Sequence, residues 1–277
     1  MLTVDLEDWF HILGRHGQPA GVWDHLPSHV EADTQRLLDL FDRYGARATF
    51  FVLGWSGDRC PGILREIVRR GHCLGSHGYH HRRPDTMSES EFVADLLRSV
   101  KIIEDAAGVK VWGYRAPGFG VRDCTFPYLD VLDSHGFLYD SSVFPGLFPG
   151  RGQQGAPTHP YCPVPARPAF WEVPVSAVHV LGVPIVFAGG GSLRLLPFWF
   201  VRWAARSCAA AGLPAVYYLH PRDVCPEGPT IRTSPWRRWR YYGGRDSLRR
   251  KLESILSSGP VTSVEEFLAT TKGGNLT

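Results

Sequence analysis

The sequence lacks the cysteine patterns that would indicate a zinc ribbon or a disulfide framework. Its six cysteines are far apart, and no two of them form a C-x-x-C pair, so we expect free thiols. Long apolar runs are also missing. The most apolar stretch, residues 193–219, is broken by Pro197, Arg202, Arg206 and Pro214, and we therefore predict no membrane span.

A strong charge of one sign and a leader peptide are also absent. The chain has 30 basic and 27 acidic residues, and a net charge of +3 is too balanced to indicate a nucleic-acid-binding protein. The N-terminus has no basic region followed by an apolar core, so we expect no signal peptide and a cytoplasmic location. The sequence favours no particular oligomeric state.

One basic segment departs from this balance. Residues 236–242 place three arginines among four aromatic residues. Such a pattern is typical of a packed surface on which arginines keep their charged ends in water, but it also suits contact with a sugar, a phosphate or an anionic lipid headgroup. Peripheral contact with a membrane therefore remains open.

Short β-type runs alternate with amphipathic helical patterns along the chain, which is typical of a parallel sheet covered by helices. With 277 residues, 44% of them apolar, the chain can bury one large core, and we expect one α/β barrel domain. We predict a surface loop or spacer at 144–168 and a turn at 189–191. The predicted strands are 2–4, 48–53, 73–76, 111–114, 136–139, 170–173 and 215–219, and the predicted helices are 31–44, 61–71, one opened by a capping box at 88–91, 125–135, 197–211, 246–257 and 263–270.

Polar motifs follow four of these strands. Asp5 follows the first strand, His77 the third and Arg115 the fourth, while His220 follows the last. The carboxyl ends of parallel strands in an α/β barrel open on the same face, so we expect these residues to share one site. Their chemistry points to a hydrolase that uses a metal.

Two histidines and an acidic cluster are the candidate metal ligands. His77 and His81 are four residues apart, which on a helical turn points both imidazoles the same way, and neutral imidazole is a common ligand of zinc and similar ions. Asp5, Glu7 and Asp8 would raise each other's pKa unless a cation is present. We predict Asp8 as the metal ligand and Asp5 as the catalytic base. Strand alternation puts Glu7 on the same face as Asp5, so Glu7 stays a competitor for the metal.

Three further residues have predicted catalytic roles. Arg115 can orient the Asp5 carboxylate through a bidentate pair. His220 lies between an apolar strand and a proline, where it can act as a general acid. Asp140 is the candidate to orient the His220 imidazole.

These motifs, in this order, resemble the NodB-type polysaccharide deacetylases, carbohydrate esterase family 4. The similarity spans about residues 1–222 and consists of the acidic group after the first strand, the H-x-x-x-H motif, the R-x-P motif, an aspartate motif and a late Leu-His. Further segments resemble the bacterial subfamily found beside exopolysaccharide and exosortase loci. They are residues 4–11, 139–142, 172–174, 189–194, 218–221 and 241–243.

The resemblance implies a distorted (β/α) barrel of the NodB-homology type, with seven or eight strands and a helical extension from about residue 225. It also implies a divalent metal, usually zinc, with Co²⁺, Ni²⁺ or Mn²⁺ as alternatives, and removal of acetyl groups from N-acetylated sugars. The first motif departs from the family's Asp-Asp-Gly-Pro, because this chain has Asp5-Leu6-Glu7-Asp8-Trp9 there. The residues that we expect to contact substrate are Tyr114, Pro117, Phe119 and Trp171.

Two other functions stay open. The first is an amide hydrolase on the same scaffold that acts on a cyclic ureide or imide, since such relatives often alter the first acidic motif. The second is a non-catalytic carbohydrate-binding protein, which we expect to lose the base or the metal ligands. The kind of acetylated substrate, from polymer to small glycoside, does not follow from the sequence.

Overall fold

Seven parallel strands form one curled sheet in the computed structural model, which describes residues 1–12, 20–146, 152–153, 155–225, 227–231 and 233–272. The order across the sheet is β6-β5-β4-β3-β2-β1-β9, and every neighbouring pair is parallel. A separate antiparallel hairpin contains β7 and β8. The strands are β1 (Leu2–Leu6), β2 (Thr49–Val52), β3 (Cys73–Ser76), β4 (Gly113–Tyr114), β5 (Tyr139–Asp140), β6 (Trp171–Glu172), β7 (Ala177–Val180), β8 (Val183–Val186) and β9 (Tyr217–Leu219).

Ten α-helices accompany the strands in the described part of the chain. Most of them lie at the amphipathic segments for which the sequence predicted a helix. The helices are α1 (Val30–Arg43), α2 (Gly54–Arg59), α3 (Pro61–Arg69), α4 (Glu89–Ala107), α5 (Tyr128–Ser134), α6 (Gly190–Leu195), α7 (Phe198–Ala210), α8 (Pro235–Tyr242), α9 (Arg245–Leu256) and α10 (Val264–Lys272). None of these is long and apolar enough to cross a membrane.

Irregular backbone links the two edges of the sheet. The Ser176 N–H, beyond β6, donates to the carbonyl oxygen of Val216 at 3.2 Å, and the Tyr218 N–H of β9 donates to Ala188 at 2.9 Å. The barrel is therefore closed around the β7–β8 hairpin rather than by a regular strand pair. The prediction of a distorted (β/α) barrel is confirmed, with seven strands in its sheet.

The strands of the sheet centre are buried on both faces, as parallel strands between helices require. Phe50 and Phe51 of β2 point to opposite sides, and neither is exposed to solvent. At the amino ends of the strands, α10 closes the barrel. Its buried Glu265 accepts hydrogen bonds from Thr49 and Tyr139, and this leaves the carboxyl ends of the strands free to form a site.

Most predicted elements are confirmed, including both capping boxes, at Ser88 with Glu91 and at Ser263 with Glu266. The six cysteines are free. Of the 144–168 loop, residues 147–151 and 154 lie outside the described part of the chain. The described remainder has only an isolated bridge between Tyr161 and Glu172.

The structure also contains elements that the sequence did not predict, namely α2, the β7–β8 hairpin, α6 and α8. The β7–β8 hairpin turns at Leu181 and Gly182, both with positive φ, as in a turn that usually contains Asn-Gly. Because leucine replaces asparagine at position 181, the sequence does not show the usual turn pattern. Pro184 is also unusual in a strand, so the hairpin was not predicted. The predicted turn at 189–191 is instead the start of α6. Glycine is needed there because a side chain at Gly190 would collide with Asp223. Helix α8 falls on the basic segment 236–242.

Candidate active site

A cavity of about 720 Å³ opens at the carboxyl ends of the strands. Residues from four separate strand ends line it: Asp5 near the end of β1 and Glu7 after it, His77 and His81 after β3, Phe119 after β4, and His220 after β9. The structure thus brings together residues more than 200 positions apart in sequence, as the parallel topology requires.

Glu7, His77 and His81 form a compact buried group. One ligand atom from each residue lies within 4.8 Å of the other two, and His81 Nε2 is 2.6 Å from Glu7 Oε2. His77 Nδ1 lies 2.7 Å from the carbonyl oxygen of Arg115. That bond makes Nδ1 the protonated nitrogen and directs the Nε2 lone pair into the cavity, as carbonyl groups that accept from metal-binding histidines commonly do.

The electrostatics of this group favour a cation. Burial lowers the pKa of His77 to about 4, so its imidazole is neutral at pH 7 and able to bind a metal. Burial alone would raise the pKa of Glu7, but His81 and Arg222 beside it hold that pKa well below its usual range. The group therefore offers two imidazoles and one carboxylate, which could hold a divalent ion.

A loop, rather than the helical turn assumed from the spacing, presents the two histidines. Gly78 and His81 both have positive φ, at 70° and 54°. Asp95 of α4 stabilises this loop, because its carboxylate accepts the N–H groups of Tyr79 at 2.7 Å and His80 at 3.1 Å. The buried Asp95 carboxylate thereby positions the loop that carries both metal-ligand candidates.

The structure contradicts the prediction that Asp8 joins the histidines. Its carboxylate turns away to the N-terminus of α1, where it accepts the N–H groups of His29 at 3.1 Å and Val30 at 3.3 Å and the hydroxyl of Ser28. Amides at a helix start have no partner within the helix and carry partial positive charge, so a carboxylate is well satisfied there. Glu7, the competitor, occupies the position beside the histidines.

Asp5 lies beside the fully buried Arg115. Arg115 Nη1 donates to Asp5 Oδ1 at 2.8 Å and to Thr3 Oγ1 at 2.8 Å, while Nη2 donates to Ser141 Oγ at 2.7 Å. The predicted pair is present, but it has one contact rather than two, because Ser141 takes the other arm of the guanidinium. Arg115 thus restrains the Asp5 carboxylate at the edge of the cavity.

The acid beside His220 is Asp223, and the prediction of Asp140 is wrong. His220 Nδ1 lies 3.2 Å from Asp223 Oδ2, and the His220 backbone N–H donates to the same oxygen at 3.0 Å. Burial would raise the pKa of Asp223, but Arg194 and His220 lower it strongly. His220 Nε2 faces the cavity, 3.4 Å from Glu7 Oε1.

Asp140 belongs to a separate buried cluster. Its Oδ1 accepts hydrogen bonds from the hydroxyls of Tyr128 at 3.1 Å and Ser142. Burial raises the pKa of Asp140 to about 6. Burial, together with the negative charge of Asp140, raises the pKa of Glu172 well above its usual value. The direction of strand β5 places this carboxyl group against β6 instead of against His220.

The predicted substrate contacts are only partly at the cavity. Phe119 lines it, but its backbone N–H donates to Ala116 at 3.0 Å and so is unavailable to a developing oxyanion. Tyr114 is buried against Phe92 and other rings, and Trp171 packs on the core of the sheet. Neither lines the cavity, and their contact with substrate stays a prediction. Pro117 is buried in the turn that carries Phe119.

Three residues of the site were not predicted. Arg222 donates to Glu7 Oε1 at 2.9 Å, and Asp223 binds His220. His11 is buried with its Nδ1 accepting the Asp8 N–H at 2.9 Å, which leaves a protonated Nε2 without a partner at the cavity. Both late residues follow His220 within three positions, so a local search around the Leu-His motif would have found them.

The chain is similar to known proteins in sequence and in fold. Residues 20–138 match the family model described as polysaccharide deacetylase. Over this region, which is less than half of its length, the chain is similar to polysaccharide deacetylases. Residues 141–269 match a second model, described as a domain of unknown function, DUF3473, which fits the exopolysaccharide-locus subfamily. Strands from both matched regions belong to one sheet.

Two curated relatives are similar to part of the chain. A peptidoglycan deacetylase of Helicobacter pylori is 37% identical over 113 residues, which cover 41% of this chain and 38% of that protein. A peptidoglycan-N-acetylglucosamine deacetylase of Bacillus cereus is 31% identical over 101 residues, 36% of this chain and 33% of that protein. The chain thus spans little more than a third of the length of these relatives.

Solved structures share the fold over most of the chain. A putative polysaccharide deacetylase from Mycobacterium smegmatis has a TM-score of 0.58 and 23% identity, covering 88% of this chain and 80% of that one. Puue allantoinase has a TM-score of 0.61 and 18% identity, covering 97% and 88%. At these identities the likeness concerns the fold alone.

Proposed function

We propose that the protein is a metal-dependent de-N-acetylase, which hydrolyses the acetamide of an N-acetylated amino sugar to acetate and a free amine. The observation that carries the proposal is the convergence of Glu7, His77 and His81 with Asp5 and His220 at one cavity. The names of the Helicobacter pylori and Bacillus cereus relatives support an acetylated sugar polymer as the substrate class.

The buried donor set fits a zinc ion. Two imidazoles and one carboxylate are a common ligand set for catalytic zinc, and the remaining coordination positions take water and substrate. Glu7 Oε2 is buried 2.6 Å from His81 Nε2 without a well-directed hydrogen bond, and a cation between these two atoms would satisfy both. Glu7, His77 and His81 would hold the ion, and a bound ion would supply Lewis-acid polarisation of the acetamide carbonyl.

The other residues of the cavity perform the proton transfers. Asp5, restrained by Arg115, takes a proton from the water that attacks the carbonyl carbon. When the C–N bond breaks, His220 Nε2 gives a proton to the leaving nitrogen. Asp223 holds the Nδ1 proton of His220 and stabilises the charged imidazole, as the acid of a catalytic triad does. Acetate and the amino sugar are the products.

The direct test is acetate release by zinc-loaded protein from N-acetylglucosamine oligomers and glycosides, with and without a chelator. We expect release that the chelator abolishes. His81→Ala should lose both metal and turnover, whereas His220→Ala should keep the metal and lose about 10²- to 10⁴-fold in kcat. His25→Ala, at an exposed histidine away from the cavity, is the matched control and should behave as wild type.

The same assay separates the alternatives. Hydrolysis of a cyclic ureide such as allantoin, without acetate release from any sugar, would assign the site to ureide chemistry. Sugar binding without either reaction, in protein with metal bound, would make the protein a binding module. Wild-type turnover by His220→Ala would remove the assigned role of His220.

A further inference from the structure

The exposed apolar side chains of this protein are concentrated in one part of the chain. Of the nine large apolar residues that are exposed among the described residues, seven lie between positions 181 and 239. They include four tryptophans, with Trp199 71% and Trp236 68% exposed. The seven residues are Leu181, Val183, Leu195, Trp199, Trp203, Trp236 and Trp239.

Helix α7 presents tryptophan and arginine on its outer face. Trp199, Arg202, Trp203 and Arg206 are all exposed and follow the i, i+3, i+4, i+7 spacing of one helical face. The opposite face, which includes Val201, is buried against the barrel. Helix α7 contains no acidic residue, so its outer face is apolar and positively charged.

Helix α8 repeats the same combination. Trp236 and Trp239 stack with their ring centroids 5.1 Å apart and an interplanar angle of 23°. Arg238 lies between them in sequence and is exposed, and this helix also has no acidic residue. Two separate helices therefore expose paired tryptophans beside arginine.

Residues of the hairpin, of the end of α8 and of the segment just before α7 line the cavity. Leu195 and Leu196, which precede α7, line the cavity together with Val183 of the hairpin and with Tyr241 and Tyr242 at the end of α8. Leu181, at the hairpin tip, is 99% exposed. The exposed apolar residues thus extend outward from the entrance to the proposed active site.

The charge of this region differs from that of the rest of the chain. Residues 189–245 contain nine arginines and two acidic residues, a net charge of +7, whereas the whole chain has +3. One of the two acids, Asp223, is paired with Arg194. Within the described part of the chain, Arg202, Arg206 and Arg238 form no salt bridge with a carboxylate, so their charge is available to an external anion.

We propose that this aromatic-basic face, made of Leu181, Trp199, Trp203, Trp236 and Trp239 with Arg202, Arg206 and Arg238, binds the surface of an anionic phospholipid bilayer. Tryptophan is favoured at the depth of lipid headgroups, and arginines gain energy near a negatively charged leaflet. Helices α7 and α8 expose tryptophans and arginines and contain no acidic residue, so this face is complementary in charge to a uniformly negative surface. Bound in this way, the protein holds the mouth of its cavity towards the membrane.

The test is sedimentation of the full chain with vesicles of phosphatidylcholine alone or with 30% phosphatidylglycerol, a composition on the order of natural anionic membranes. We expect binding to the anionic vesicles, weakened by salt. Each of Arg202→Ala and Arg238→Ala should weaken binding about fivefold. Trp199→Ala with Trp203→Ala should weaken it at least about tenfold, from the loss of two buried apolar side chains.

The control is Tyr44→Ala with Leu97→Ala, which removes exposed apolar side chains outside this face and should leave binding unchanged. Absence of binding to anionic vesicles, or equal binding by the tryptophan variant, would overturn the proposal. Dimerisation of the free protein that is lost in the tryptophan variant, without vesicle binding, would assign the face to a second copy of the chain. Vesicle binding requires no turnover, so its outcome is independent of the deacetylase proposal.

Discussion

Three carboxylates that are nearly adjacent in sequence have three different partners. Asp5 lies against Arg115, Glu7 against His81 and Arg222, and Asp8 at the start of α1. The alternation of β1 places Asp5 and Glu7 on the same face, as the sequence indicated. Residue type alone could not separate Glu7 from Asp8, because the partner of Asp8 depends on where α1 packs.

Replacement of Glu7 should affect metal binding, whereas replacement of Asp8 should affect stability. Glu7→Gln should lower zinc affinity by at least about tenfold, since a direct ligand is lost. Asp8→Ala should keep the zinc and lower the free energy of unfolding by about 1 to 2 kcal/mol, through loss of the helix cap. Zinc content after equilibrium dialysis and urea unfolding of the metal-free protein measure the two effects.

Glu31→Gln, which changes an exposed acid in the first turn of α1, is the control for both measurements. Loss of zinc from Asp8→Ala, with zinc retained by Glu7→Gln, would reverse the assignment of the two carboxylates.

At the scale of elements, strands and helices with strong patterns were predictable. The apolar run of β2 and the capping box of α4 lie where the sequence indicated, because local chemistry determines them. The β7–β8 hairpin and α6 were missed. Their conformations depend on a left-handed Leu181 and on the close approach of Gly190 to Asp223, which are tertiary features.

The pairing of β5 with β6 creates a proton-binding site that affects stability. Asp140 and Glu172 are adjacent and buried, and Asp140 has a pKa of about 6 against an ordinary value of 3.8. Between these values the folded state binds more protons than the unfolded chain, so the free energy of unfolding should fall as pH rises. The raised pKa of Glu172 extends the same trend to higher pH.

Glu172→Gln should make this pH dependence shallower. It removes one of the two acids and offers an amide donor to Asp140, so stability at pH 7 relative to pH 5 should increase by on the order of 1 kcal/mol. Urea unfolding at both pH values measures the change, with the exposed Glu89→Gln as the matched control. An unchanged pH dependence in Glu172→Gln would show that the pair does not titrate in this range.

At the scale of the whole molecule, the site exists only because distant regions share one sheet. Glu7, His77 and His81 come from the first third of the chain, whereas His220, Arg222 and Asp223 come from the last third, and the pairing of β1 with β9 brings them together. Parallel topology predicted this meeting. It could not tell which acid would reach His220. Three strands separate β5, which carries Asp140, from β1, whereas Asp223 follows His220 in the same turn.

The most direct test of this account is a crystal of the zinc-loaded protein measured at the zinc absorption edge. We predict one anomalous peak per chain in the cavity, about 2.0 to 2.2 Å from a Glu7 oxygen, His77 Nε2 and His81 Nε2, with Asp8 still bound to the start of α1. A peak coordinated by Asp8 instead of Glu7, or no peak in protein that still releases acetate, would contradict it.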